Sequence, residues 1–546
     1  MHRDLKRMAS VEYDVVVVGG GVHGACTAWE GARRGLRVAL VEANDFGHAT
    51  TSNSLRTFHG GLRYLQQLDF KRMRESIRER REWLRIARDI VKPMPFVLPT
   101  SGYGMRGPAA LYAALVANDL VSFDRNDGVW ADRHMPRGRL WRARRARQVL
   151  AGTSIKRING AAVWQDAICL NTERLLIAIL AAATAAGAQV ANYARALTIR
   201  RDSIGASGVR VRDETSGREY LLRGRSVINA AGPWVDEWLV PSRLTPGPHY
   251  YAASKAFNLL LTRSLPFVEA IALPCSSTYF AIPWNGRTLI GTRHVRCQHS
   301  STSPNVTAEE VHEFMRDINT ALGKHRIAPS DILGVFSGLL PEREGTTGKD
   351  VTLLKTARVV DHGVDDGMPG LYSIVGIKWT TARAVAERAI KMANDWMCVA
   401  PRPRPGRVPQ LEVRSLDAPA ILDLIEREPA LGERLVADVP VAKAQIVHAV
   451  RDEMALYLWD VIRRRVPLYL SDMLDARVLE TCAELMAREL GWDHAEVMRQ
   501  VDHSTSQLDD FHGTTLRLQL AQLFQSEDAE SASDMRFEAP CSPTIK

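Results

Sequence analysis

No segment of this chain is apolar enough to cross a bilayer. The longest candidate, Leu175–Ala191, is alanine-rich and broken by Thr184, Gly187 and Gln189. It reads as a packed helix, short of the roughly 20 apolar residues a span needs. The opening MHRDLKRMAS lacks the apolar core of a secretory signal, so a cytoplasmic location is expected. Cysteine is sparse: the seven residues, at 26, 169, 275, 297, 398, 482 and 541, contain no CxxC pair. That spacing argues against a structural zinc site and a disulfide framework; a reducing compartment and no metal centre are expected. No internal period is present, which argues against repeat architectures.

What is present begins at Tyr13. Val15–Val18 is a β-branched run suited to a strand buried on both faces, and Gly19, Gly21 and Gly24 follow with GxGxxG spacing. In this pattern the first glycine permits a tight turn, the second lets backbone approach a pyrophosphate, and the third lets a helix pack on the strand. The helix expected from Val22 to Arg34 points its N-terminal N–H groups at that pyrophosphate. A second strand, Arg37–Val41, ends at Glu42, 18 residues past Gly24, where a carboxylate can hold a ribose diol. The unit binds a dinucleotide. Glu42 would repel a ribose 2′-phosphate, which disfavours NADP and leaves FAD and NAD open.

At 546 residues with 46% hydrophobic content, the chain is expected to form two or more domains. Two further small-residue turns follow predicted strands, at Ala230, Ala231 and Gly232 and at Gly376 before a helix near Thr380. Small residues there let backbone approach a bound cofactor. Ala400–Pro409 has four prolines and a glycine and reads as a linker, 400–410. Residues 411–525 show only helical periodicity, and 526–546 are polar and expected to be disordered.

The net charge of +9 is clustered. Residues 71–92 carry nine lysines or arginines against four acids on a helical pattern, and Arg137, Arg139, Arg142, Arg144, Arg145 and Arg147 surround Trp141. Such surfaces are either solvated faces or contacts for an anionic membrane or substrate. Nucleic acid is not expected, because no binding module accompanies the charge. The sequence carries no signal for oligomeric state.

Five segments then narrow the reading: TSNSLRTFHGGLRYL (Thr51–Leu65), NAAGPWVD (Asn229–Asp236), IPWNGRTLIGT (Ile282–Thr292), GIKWTTAR (Gly376–Arg383) and DEMALYLWDVIRRR (Asp452–Arg465). Together, and in this order over roughly residues 12–510, they resemble the FAD-dependent, quinone-linked glycerol-3-phosphate dehydrogenases. The resemblance implies an α/β fold: a Rossmann-like FAD-binding domain with an inserted antiparallel-sheet substrate domain, and a C-terminal all-helical domain. Within 12–399 the FAD-binding segments are expected at about 12–100, 150–250 and 335–399, and the substrate segments at about 100–150 and 250–335.

It also implies FAD as cofactor, with Thr51, Ser52 and Ser54 on a flavin-contacting loop. Lys378 matches a lysine near flavin and substrate, and Arg358 matches a phosphate-binding arginine. His59 is the candidate base, since an imidazole titrates near working pH; the alternative is a histidine that only orders its loop. Arg56, Lys255, Arg293 and Arg343 are candidate substrate contacts, and Arg63 is expected to be structural. The chain departs from the family at the substrate end. SGVRP becomes SGLLP with Leu340 at the arginine position, KGSH becomes KAFN with Phe257 and Asn258, and GTTD becomes GTRH with His294. Three functions remain: oxidation of glycerol 3-phosphate with electrons passed to quinone at the membrane; oxidation of another hydroxy or amino compound in a remodelled pocket, with O2 as acceptor; or a non-catalytic flavin-binding regulator.

Overall fold

Short β-branched runs such as Val15–Val18 and Val38–Val41 can satisfy their backbone only inside a sheet covered on both faces, and that is where the chain puts them. In a computed structural model of the protein, all residues are described except 243–251, 298–303, 343–350, 352, 399–405, 407, 414–417 and 538–546. The first sheet runs β16 (Arg358–Asp361), β17 (Leu371–Val375), β10 (Glu219–Asn229), β1 (Glu12–Val18), β2 (Val38–Val41) and β7 (Gln189–Ala191). Its centre is parallel, with Val15 beside Val38 on one side and Ser226 on the other. The hairpin β8 (Ala194–Arg201) and β9 (Ala206–Asp213) extends it through β10. The helices Val22–Arg33, Thr172–Ala185 and Ala382–Met397 pack together on one face. The alanine-rich candidate span is thus the buried Thr172–Ala185 helix, and among the described residues no helix is long and apolar enough to cross a membrane.

The second sheet runs β15 (Ile332–Glu342), β11 (Ala252–Leu261), β14 (Arg287–Arg296), β13 (Thr278–Trp284), β12 (Ala270–Pro274), β4 (Val91–Ser101), β6 (Ile158–Cys169) and β3 (Thr57–Phe58), with β5 (Arg139–Arg142) on β6. It is mainly antiparallel; only β12 and β4 pair parallel. This corrects the expected boundaries. β3, most of β4, β6 and most of β15 fall in stretches assigned from sequence to the FAD-binding domain, yet they pair in the second sheet. β4 carries Pro93, Pro95 and Pro99, which cannot donate to a ladder and suit a strand that pairs along its length on one side only, against β6.

The C-terminal region is helical as expected, with Lys443–Glu453, Ala476–Leu490 and His494–His512 around Cys482, Met486, Val497 and Leu508. Its last helix continues from Thr514 to Phe537, so the tail expected to be disordered from 526 is helical that far. Of the proline-rich linker, only 406 and 408–410 are described. Val408 there accepts from Arg85 at 2.9 Å, and Leu411 donates to the Ile86 carbonyl at 2.7 Å, so the chain follows the end of the helix Phe70–Ile86. That helix is the basic stretch read as a solvated face or a contact for an anionic membrane or substrate, and much of its charge is neutralised within the fold. Arg72, Arg74, Arg80, Arg81 and Arg85 are tied to Asp69, Asp124, Asp166 and Glu82, while Met73, Ile77 and Trp83 are buried.

Buried ion pairs join the C-terminal helices to the first sheet. Asp45 receives Arg464 at 2.5 Å and Arg465 at 2.8 Å, and Arg464 also pairs with Asp460 at 2.7 Å. Glu173 binds Arg56 at 2.6 Å and Arg463 at 2.7 Å, and Glu453 binds Arg174 at 2.7 Å. Burial alone would raise the Glu173 carboxyl; Arg56 and Arg463 overcome it and hold it at about 2. Such a lattice is stable only while complete, because a buried charge without its partner costs several kcal/mol. Asp45→Ala leaves Arg465 facing only the Glu453 carbonyl. The variant is expected to lose about 3–5 kcal/mol in denaturant unfolding, with the C-terminal helices becoming the most protease-sensitive part of the chain.

Candidate active site

The glycine turn is forced. Gly19 sits at φ +108° and any Cβ on it would overlap the Ala230 carbonyl, while a Cβ on Gly24 would overlap the Gly19 carbonyl. Gly21 leaves open space but for Thr51 Oγ1, 3.1 Å from where its Cβ would stand. The N-terminus of the helix Val22–Arg33 opens there onto a cavity of about 2100 Å³ between the two sheets, which Gly19, Gly21 and Glu42 line. Glu42 accepts from the N–H groups of Gly20 at 2.6 Å and Asn44 at 2.9 Å. These two bonds fix its carboxylate at the cavity wall with acceptor capacity left over. The volume exceeds the roughly 300–1,000 Å³ of a drug-sized ligand site, as a dinucleotide plus a substrate requires.

The loop 50–56 bridges the sheets. Thr51 Oγ1 accepts from Val22 N–H at 3.1 Å, and its carbonyl accepts from Trp379 Nε1 at 2.9 Å. Thr50 Oγ1 exchanges hydrogen bonds with both N–H and carbonyl of Leu339 on β15, each at 3.1 Å. Thr51 and Ser54 line the cavity, as do Ala231, Gly232, Gly376 and Lys378. Ser52 does not: its hydroxyl turns back to the Gly47 carbonyl at 2.6 Å and is buried. Thr380 also falls behind the wall, accepting from His59 N–H at 3.3 Å and, through its carbonyl, from Trp83 at 3.0 Å. A Cβ on Gly376 would overlap the His23 ring, whose buried Nε2 has no hydrogen-bond partner among the described residues.

At one end of the cavity His59, Tyr64 and Lys378 come together. Lys378 Nζ donates to the Tyr64 hydroxyl at 2.5 Å and to Ser76 at 3.3 Å, and the His59 ring meets Tyr64 edge-on at 5.9 Å. Burial, then the nearby Arg72 guanidinium, lower the Lys378 ammonium to about 8. Burial, then Lys378, Arg80 and Arg72, hold the His59 imidazole well below its ordinary value, so it is neutral at working pH. Arg63, expected to be structural, instead lines the cavity with its side chain exposed and, among the described residues, without a carboxylate partner. His294 lines it too, with a buried Nδ1 that has no hydrogen-bond partner among the described residues; burial, then Arg63 and Arg293, lower its imidazole to about 4. Leu340 faces the same space.

The structure does not bring the other candidates to this group, although Arg56 also borders the cavity. Arg56 is spent on Glu173 and the Ser52 carbonyl and stacks on Phe336 at 4.8 Å. Lys255 pairs with Glu310 at 2.8 Å, and Arg293 reaches Tyr279 at 3.0 Å. On β11 and β14 both face away from the cavity, because Ala256, Asn258, Thr292 and His294 take the inward positions. Phe257 likewise points out, onto Phe314 at 5.6 Å, and does not narrow the pocket. Arg358 lies exposed on β16 opposite Val375, outside the cavity lining. Arg343 lies outside the described residues. The signal missed for Arg63 was Gly61, whose φ of +82° starts the turn Leu62–Gln67 that carries Arg63 and Tyr64.

The glycine cradle, Glu42 and the orphaned imidazole nitrogens of His23 and His294 fit a polar dinucleotide with room for a small anion. The profile of a family described as FAD dependent oxidoreductase matches residues 14–392, and that of the C-terminal domain of alpha-glycerophosphate oxidase matches 416–497. A glycerol-3-phosphate dehydrogenase of Synechocystis is 28% identical, covering 91% of this chain and 97% of its own. Glycerol-3-phosphate dehydrogenase 2 of Mycobacterium bovis is 29% identical, covering 98% and 93%. In fold, the chain is similar to a glycerol-3-phosphate dehydrogenase from Bacillus halodurans solved with FAD, at a TM-score of 0.68 and 22% identity over 93% of this chain and 97% of that one. Gly24→Ala, which puts a methyl group into the Gly19 carbonyl, is expected to abolish retention of the dinucleotide, read as loss of its absorbance from the purified protein.

Proposed function

Because this chain belongs to the FAD dependent oxidoreductase family, we propose that it oxidises the secondary alcohol of glycerol 3-phosphate, or a close analogue, to the ketone and passes the electrons to quinone. When bound, FAD supplies the acceptor for the hydride that leaves the carbinol carbon. The observation that carries the reading is the grouping of Lys378 and His59 about Tyr64, in a cavity that Arg63 and Gly376 also line.

His59 takes the hydroxyl proton, for which a neutral imidazole is required, and the shift of its titration below the ordinary value keeps it neutral. Lys378, held by Tyr64 and Ser76, places a cation where negative charge develops. Arg63 receives the phosphate. It offsets the cation missing at Leu340, since a charge-assisted hydrogen bond contributes about 1.5–3 kcal/mol from either direction. Gly19, Gly21, Gly24, Glu42, Thr51, Ser54, Ala231, Gly232 and Gly376 form the FAD site. Resemblance to quinone-linked enzymes supports quinone over O2 as acceptor and a peripheral position on the inner face of the cytoplasmic membrane.

Anaerobic mixing with glycerol 3-phosphate is expected to bleach the bound flavin; bleaching by another alcohol or an amine alone would select the remodelled-pocket reading. In the same assay His59→Gln should slow bleaching by about 10²–10⁴-fold with substrate affinity little changed. A loss confined to affinity would make His59 a loop-ordering residue. With Lys378 lowered to about 8, its charge is present below that pH and lost above it. Accordingly kcat/KM should fall on the alkaline side of about 8, and Lys378→Met should remove that limb while lowering kcat/KM by about ten- to a hundredfold.

A further inference from the structure

On β11 and β14 the residues turned toward the cavity are Ala256, Asn258, Thr292 and His294. Asn258 and Thr292 satisfy one another. Thr292 Oγ1 donates to Asn258 Oδ1 at 2.7 Å, and Asn258 Nδ2 donates to the Asn53 carbonyl at 3.4 Å. Ala256 and, on β15, Leu340 carry no polar side-chain atom. That leaves His294. Its Nδ1 is sealed by the surrounding protein and has no hydrogen-bond partner among the described residues, so Nε2 is the ring nitrogen open to the cavity.

That environment decides where the imidazole proton sits. A neutral ring carries one. On Nδ1 it would be a buried N–H with no acceptor, a rare and costly arrangement, whereas on Nε2 it is free to donate to a ligand. Burial, then Arg63 and Arg293, keep the ring neutral. Arg63, from the turn Leu62–Gln67, bears on it more strongly than Arg293, its own neighbour in the chain, which faces away. A guanidinium and an imidazole N–H from two different elements therefore serve the same end of the cavity. A carboxylate in place of this imidazole would instead neutralise Arg63, as Asp124 neutralises Arg74 and Arg81.

We propose that His294 is a specificity-determining residue of this site: its Nε2–H donates to one oxygen of the substrate phosphate while Arg63 holds another. Selection of a phosphorylated alcohol over the free alcohol then depends on both donors, because an analogue without the anion leaves them unpaired. The imidazole makes and breaks no bond in the oxidation. This assignment rests on the reading of Arg63 as the phosphate contact.

The test is calorimetric titration of the FAD-loaded full chain with inorganic phosphate, which fills the anion site without being oxidised and finds the pyrophosphate cradle already occupied. His294→Leu is expected to weaken phosphate binding by about tenfold or more, the worth of one hydrogen bond to a charged group. His294→Gln, whose amide nitrogen can stand near the Nε2 position, should stay within about threefold of wild type. His294→Asp should weaken binding by about a hundredfold or more, since it also neutralises Arg63. In turnover with glycerol 3-phosphate the leucine variant should raise KM about tenfold with kcat little changed, and lose about tenfold of the preference for glycerol 3-phosphate over glycerol. Should that variant fail to fold, as loss of its flavin spectrum would report, His294→Asn stays polar but stops short of Nε2 and should weaken phosphate to the same degree. Phosphate that binds wild type no more tightly than the leucine or asparagine variant overturns the proposal. So does a glutamine variant that loses as much affinity as the leucine one. His294-dependent phosphate binding in a protein whose flavin glycerol 3-phosphate does not reduce upholds the anion site and overturns the proposed reaction instead.

Discussion

The structure depends on three consecutive arginines, Arg463, Arg464 and Arg465, buried in a turn of the C-terminal region. They neutralise Asp45 and Glu173, which lie on the cofactor side of the molecule. None of these charges could stay buried alone, since the desolvation of each is offset only by its partner and the remaining hydrogen bonds. The C-terminal helices are therefore part of the cofactor-binding architecture, although among the described residues no side chain from them lines the cavity.

The loop 50–56 shows how that constraint reaches the site. Arg56 at its end is held by Glu173, which Arg463 also holds. Thr50 is pinned to β15 of the second sheet, and Thr51 to the fingerprint helix and Trp379. Asn258 on β11 reaches the Asn53 carbonyl at 3.4 Å and accepts from Thr292 at 2.7 Å. The asparagine standing in KAFN thus ties the second sheet to this loop. One short segment is fixed by both sheets and, through Glu173, by the C-terminal helices, which gives the cavity wall a single geometry.

Legibility followed the range of the interactions. The dinucleotide unit could be read from residues 13–42 because a strand, a glycine turn and a helix adjacent in sequence make their own contacts, and GxGxxG encodes close approaches between neighbouring backbone segments. Domain boundaries were less readable, since β3 and β4 follow the first sheet's segments in sequence but pair with β6 and β12, which come much later in the chain. Cations were least readable. Arg56, Arg63, Lys255, Arg293 and Arg358 look alike in sequence, and only the carboxylates brought near them decide which stay free.

The sequence by itself determined the dinucleotide-binding turn, because that rests on local backbone sterics, and the resemblance of its five motifs to a known family implied FAD as the dinucleotide. Tertiary structure alone decided how each candidate cation is placed relative to the cavity. It turned Arg56, Lys255 and Arg293 into structural ion pairs, set Arg358 outside the cavity and left Arg63 facing into it. The reason is electrostatic: a guanidinium binds substrate only if folding has not already supplied it with a carboxylate, and that supply comes from residues far away in the chain.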